Sequence, residues 1–132
     1  MKYTRPEASV LSGRARELRL SGAELLDDLE AVMRDCNGIG ADWMPVVMTK
    51  LCTKLNPVME VPAAIHDRRY MTRGITRSDA DLEFLTNTLR VIKNKYAWWN
   101  PWRYLMMRRA VRYYSYLVMF GDMAWEEAKK KK

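Results

Sequence analysis

Apolar positions along this chain recur at the helical period, and runs that alternate apolar with polar are scarce. The polar first 20 residues carry Arg14, Arg16 and Arg19 at helical spacing. Ser21 reads as an N-cap with Glu24 as its capping-box partner, and from Ala23 to Arg34 the positions Leu25, Leu26, Leu29, Val32 and Met33 share a face. Asn37-Gly38-Ile39-Gly40 ends that helix, because two glycines this close favour an irregular turn. Trp43 to Leu55 predicts a short helix with Pro45 in its first turn, and Asn56-Pro57 breaks it. Pro62 stands where a first helical position falls, predicting a third helix over Ala63 to Thr72 that Gly74 closes. Ser78 then caps a helix over Asp81 to Asn94, with Leu82, Leu85, Leu89 and Ile92 on one face. Asn100-Pro101 opens a last, long helix reaching about Met119 or further, which Gly121 ends or kinks. In that helix Leu105, Val111, Tyr114, Leu117 and Val118 are spaced to bury one face and leave the arginines on the wet one.

The pattern predicts an all-α domain over residues 1–132: two antiparallel core helices, an N-terminal helix and a long C-terminal helix. A short hairpin between residues 54 and 61 is the one alternative left open to it.

Charge changes the picture modestly. The chain has 23 Lys+Arg against 16 Asp+Glu, a net charge of +7, which attracts polyanions in general. Lys129 to Lys132 supply four of these charges as a solvated tail, leaving an excess of about three on the rest. No helix-turn-helix or zinc signature accompanies the charge, so nucleic acid is the least supported partner. Cys36 and Cys52 allow one bridge or two free thiols, far from the dense framework of a small secreted domain. The start, Met1 to Glu7, lacks an apolar signal region, so synthesis in a cytoplasm is expected, and no run of about 18 apolar residues spans a bilayer.

His66 is the only histidine, which excludes a zinc site of several histidines. No Gly-x-Ser-x-Gly elbow is present for a serine hydrolase. On a helix, His66 and Tyr70 share a face, while Asp67 is turned about 100° away and is free to ligate something beside the ring. The glycines of Cys36-Asn37-Gly38-Ile39-Gly40 let backbone carbonyls converge, and carbonyls with one carboxylate suit calcium. Asp81, at the start of the next helix, is placed to accept from one imidazole nitrogen and leave the other as a base. Each feature also has an ordinary reading: a satisfied helix histidine, a helix C-cap, a core tyrosine, and a capping box in which Asp81 serves backbone amides.

Gly38-Ile39-Gly40, then His66-Asp67-Arg68-Arg69-Tyr70, then Ala80-Asp81-Leu82-Glu83-Phe84 together resemble the phospholipase A2 superfamily, in particular its small bacterial, phage and parvovirus-like branches. The resemblance covers roughly residues 36 to 90, within a motif core of about 36–95. It implies a calcium ion held by Asp67 and the carbonyls of Cys36, Gly38 and Gly40. It implies His66 as general base, Asp81 and Tyr70 orienting it, and the Gly38 amide at the oxyanion. The implied activity is calcium-dependent hydrolysis of the sn-2 ester of phospholipids. An inactive member of the fold, serving as a structural or binding part of a virion or other assembly, is the alternative. The first reading places the chain with a virion or at a host envelope. Ala63-Ala64-Ile65 precedes His66 where many relatives carry a cysteine tied to the calcium loop. Asp42 either approaches the ion or caps the next helix, and Arg68 and Arg69 put two positive charges beside the dyad.

A separate signal lies in the C-terminal helix, about residues 100–127. Trp98, Trp99 and Trp102 cluster around Asn100-Pro101, with Arg103, Arg108, Arg109 and Arg112 following among tyrosines. Such a mixture suits a phospholipid membrane interface. Lipid contact is expected of the Trp cluster, and ordinary packing of most of the helix.

Overall fold

The computed structural model describes residues 2–38 and 46–130. It is all-α, and no strand occurs among the described residues, so the chain between 54 and 61 is no hairpin. The α-helices are α1 (Arg5–Glu17), α2 (Leu29–Asp35), α3 (Val46–Leu55), α4 (Glu60–Thr72), α5 (Arg77–Lys95) and α6 (Pro101–Lys130). Short 3-10 turns fill Ala23–Leu26 and Pro57–Met59.

α4 is the central element, packed by α1, α2, α5 and α6. Val61, Ala64 and Ile65 enter a core with Leu11, Leu26 and Val32, while Ala63 joins Phe84, Ile92, Met106 and Ala110 in a second. A helix covered on several sides carries no clean stripe, so burial comes from neighbours on every face. Pro62 is its third residue, two later than the sequence suggested. It is tolerated because the first-turn amides have no intrahelical acceptor to lose.

α4 and α5 form an antiparallel hairpin across the short link 73–76: Tyr70 meets Asp81, and one turn back His66 meets Phe84. The link departs from the expected signals. Arg73, not Gly74, takes the left-handed cap conformation, at φ +67°. It is held there by Trp125, whose ring lies 3.6 Å from the guanidinium and whose carbonyl accepts from it. Thr76, not Ser78, caps α5, accepting from the Asp79 amide at 3.1 Å.

The expected helix from Ala23 to Arg34 is a 3-10 turn followed by α2, which Asp28 caps. Ser21 is not its cap. Its backbone exchanges two hydrogen bonds with the Asn87 amide, at 3.0 and 2.9 Å, and its hydroxyl donates to Glu83. Of the predicted apolar face of α5, Leu85, Leu89 and Ile92 pack against the second core and Leu82 is exposed, while Asp81, Phe84 and Thr88 are buried beside them. Helix α6 continues past Gly121 and buries Met106, Ala110, Gly121 and Ala128, whereas Leu105, Val111 and Val118 lie exposed. Of the predicted face, Leu117 packs against the core, Tyr114 is half-buried and Arg108, Arg109 and Arg112 face water, so the phase holds in part. The start of α3 predicted at Trp43 and Pro45 lies outside the described residues. None of the helices described is long and apolar enough to cross a membrane.

Candidate active site

The α4–α5 hairpin brings three polar side chains into the core. His66 Nε2 lies 2.7 Å from Asp81 Oδ1, and the Tyr70 hydroxyl donates to the same oxygen at 2.7 Å. All three residues are buried, Asp81 to 1% exposure. A carboxylate that already receives the tyrosine proton offers only lone pairs, so the network assigns the imidazole proton to Nε2 and leaves the Nδ1 lone pair available in the neutral ring. Asp81 therefore does not serve as a capping residue of α5. The ring is fixed by Tyr70, with centroids 4.3 Å apart, and by an edge contact from Phe84 at 5.7 Å. Burial, then the hydrogen bond to Asp81 and its negative charge, push the Tyr70 hydroxyl well above the ordinary phenol range, so it stays a donor.

The other Asp81 oxygen faces Arg77. Its Nε lies 3.6 Å from Oδ2, one helical turn earlier on α5. The same guanidinium reaches α6, where it pairs with Asp122 and donates to the carbonyls of Leu117, at 3.3 Å, and Val118, at 2.6 Å. Gly121 lies under this contact. A Cβ there would come within 2.9 Å of the Tyr70 hydroxyl and 3.3 Å of Arg77 Nε, so α6 approaches this closely only with glycine at that position.

On the neighbouring face, Asp67 is half-buried. Cys36, just after α2, is pinned to α4 by its thiol, 3.4 Å from the Ala64 carbonyl. Burial and the negative charges of Asp67 and Asp35 push that thiol far above its ordinary range. Burial, Asp67 and Cys52 push the Tyr113 hydroxyl of α6 up to about 12. Cys36, Asp67 and Tyr113 thus share one electrostatic neighbourhood. Gly38 is buried with φ +81°, a left-handed turn in the segment that leaves this neighbourhood. Gly40, Asp42 and the rest of the glycine loop lie outside the described residues.

Comparison with family models, curated proteins and solved structures returns no match.

The donor chemistry fits a hard cation. Asp67 offers a carboxylate near Cys36, after which the chain runs through Gly38 with further peptide carbonyls. Among the described residues no group of three or more His, Cys, Asp or Glu side chains could hold a metal, so a cation here would have to draw most of its ligands from backbone and water. The two arginines after the dyad do not crowd that position. Arg68 is buried in an ion pair with Asp35 and donates to the Leu25 carbonyl, and Arg69 pairs with Glu83 at 2.9 Å.

Arg77 and Gly121 were not singled out for the site by the sequence. The i,i+4 spacing of Arg77 and Asp81 was a signal for the first. Gly121 reads as a helix breaker until the opposing tyrosine is in place. Neither disulfide partner is used: Cys36 and Cys52 are both free thiols.

Proposed function

We propose that the chain is a calcium-dependent phospholipase A2-like hydrolase. The observation that carries the reading is the buried Tyr70–Asp81–His66 set, with Asp67 next to the histidine and close to the Cys36 end of a glycine turn. Asp81 and Tyr70 hold the ring in one tautomer. His66 Nδ1 takes a proton from water as that water's oxygen bonds to the sn-2 ester carbonyl. The ester C–O bond then breaks, and the proton passes from the imidazolium to the leaving glycerol oxygen. A fatty acid and a lysophospholipid result. The Gly38 amide is assigned to the oxyanion. Asp67 and the carbonyls of Cys36, Gly38 and Gly40 would hold a calcium ion, which when bound would supply positive charge for the same oxyanion.

A phospholipid surface is the partner this reading requires. Trp98, Trp99 and Trp102 support it, being 74%, 69% and 55% exposed at the α5–α6 turn, where indole rings suit headgroup depth. Carriage with a virion, or delivery to a host envelope, is the setting proposed for such an activity.

The test is fatty-acid release from vesicles containing phosphatidylglycerol, with calcium and then with chelator. Release that chelator abolishes supports the proposal. A folded chain that releases nothing at any calcium concentration overturns it in favour of the second reading, an inactive member of the fold serving as a binding or structural part of a virion or other assembly. The exposed apolar residues of α6 favour that alternative.

A further inference from the structure

Helix α6 has two faces. The inner one carries Met106, Ala110, Gly121 and Ala128 into the fold. The outer one is apolar at its centre, where Tyr116, Met119 and Met123 are 56%, 65% and 75% exposed. A shallow, open face of the helix is formed by Met107, Arg108, Val111, Arg112, Tyr116 and Met119 among others. Soluble monomers rarely leave such a continuous apolar stripe open to water.

Charge along that stripe is separated by sign. Arg108, Arg109 and Arg112 occupy its first half, and Asp122, Glu126 and Glu127 its second, all of them exposed. The ion pairs of the described residues engage Asp122, through Arg77, but not Arg108, Arg109, Glu126 or Glu127. We propose that this face is the interface of a symmetric dimer, in which α6 pairs antiparallel with α6 of a second copy. With the two-fold axis near residues 117 and 118, Arg108 and Arg109 of one copy come level with Glu127 and Glu126 of the other. Tyr116 comes level with Met119. Each contact occurs twice, as an isologous interface requires. A parallel pairing would set arginine against arginine and is disfavoured.

A lipid surface fits this face less well. Asp122, Glu126 and Glu127 would meet anionic headgroups, which repel them, with Lys129 and Lys130 offsetting this only at the end of the helix. The Trp cluster at 98–102 lies beyond the end of the paired stretch and stays open in the dimer. The inference is independent of catalysis, since no residue of the His66 site is used.

Sedimentation equilibrium on the full chain tests it. The wild type is expected at twice the chain mass of 15.5 kDa. R108E/R109E and E126K/E127K are each expected to sediment as monomers. Mixing these two variants restores a 1:1 heterodimer, because the reversed charges complement each other, and the fourfold variant R108E/R109E/E126K/E127K dimerises again. Met119→Gln, at the exposed centre, is expected to give a monomer by a route that leaves the charges alone. A wild-type monomer at every concentration overturns the proposal. So do double variants that stay dimeric, or double variants that fail to recombine. A monomer whose binding to phosphatidylglycerol vesicles is lost in R108E/R109E would assign the face to lipid instead.

Discussion

Gly121 and Tyr70 meet so closely that a Cβ at Gly121 would lie 2.9 Å from the tyrosine hydroxyl. This is where the long C-terminal helix touches the His66 network. Tyr70 is in no position to yield: Asp81 accepts its proton, His66 packs on its face, and the Trp125 ring meets it edge-on at 4.9 Å.

Gly121→Ala should therefore destabilise the fold. Helix propensity alone favours alanine by about 1 kcal/mol. Overpacking against Tyr70 and Arg77 costs more, by about 1–3 kcal/mol. A fall in thermal midpoint is expected. A rise would show that α6 does not approach Tyr70 this tightly.

Arg77 ties Asp81 to α6. Arg77→Met removes the cation facing Asp81 Oδ2 together with the anchors on Leu117, Val118 and Asp122. Looser placement of Asp81 is expected to lower kcat on the order of 10-fold with KM little changed, and Arg77→Lys to recover part of it. His66 is the only histidine, so its imidazole N–H resonance identifies itself in a proton spectrum. In Arg77→Met that proton should exchange faster with water. An unchanged resonance and an unchanged kcat would leave Arg77 no positioning role.

Asp35 and Arg68 form a buried ion pair, with side chains 2% and 9% exposed. Burial raises the Asp35 carboxyl, but hydrogen bonds from Arg34 and Arg68 outweigh it and hold the group below its ordinary value of 3.8. A depressed carboxyl contributes stability that is full above that value and is lost as pH falls through the lower, folded one. Arg68→Met leaves Asp35 with Arg34 as its remaining cation and should cost about 1–3 kcal/mol at neutral pH. The variant should also lose less additional stability below about pH 4 than the wild type does. Denaturant unfolding at both pH values checks this. Equal acid sensitivity of the two proteins would contradict it.

The thiols should react in order. Cys36 is buried and strongly raised, so little thiolate exists to be alkylated, while Cys52 is half-buried. Mass spectrometry after brief iodoacetamide treatment should find a label on Cys52 first. Labelling of Cys36 first would contradict its placement against Ala64.

The hairpin that joins His66 to Asp81 was legible because both ends carried local signals: a helix bearing His66 and Tyr70 on one face, and an acid early in the next helix. The caps were not. Arg73 displaces Gly74 because Trp125, distant in sequence, holds it in a conformation glycine normally takes. The inward face of α5 was legible in Leu85, Leu89 and Ile92, which pack against the second core, but not in the buried polar residues Asp81, Asn87 and Thr88 beside them, and Leu82 faces water. The same held for α6, where a small-residue seam of Ala110, Gly121 and Ala128 is buried and Leu105, Val111 and Val118 are not. Close approach of helices selects small residues, and periodicity of large apolar ones does not register it.

The central claim is that His66 is the base of a calcium-dependent ester hydrolysis. The most direct measurement compares wild type and His66→Gln on phosphatidylglycerol vesicles labelled in the sn-2 acyl chain, in the presence of calcium. Labelled fatty acid is expected from the wild type, with a loss on the order of 10³-fold or more in the folded variant. Equal release by the two proteins would contradict it.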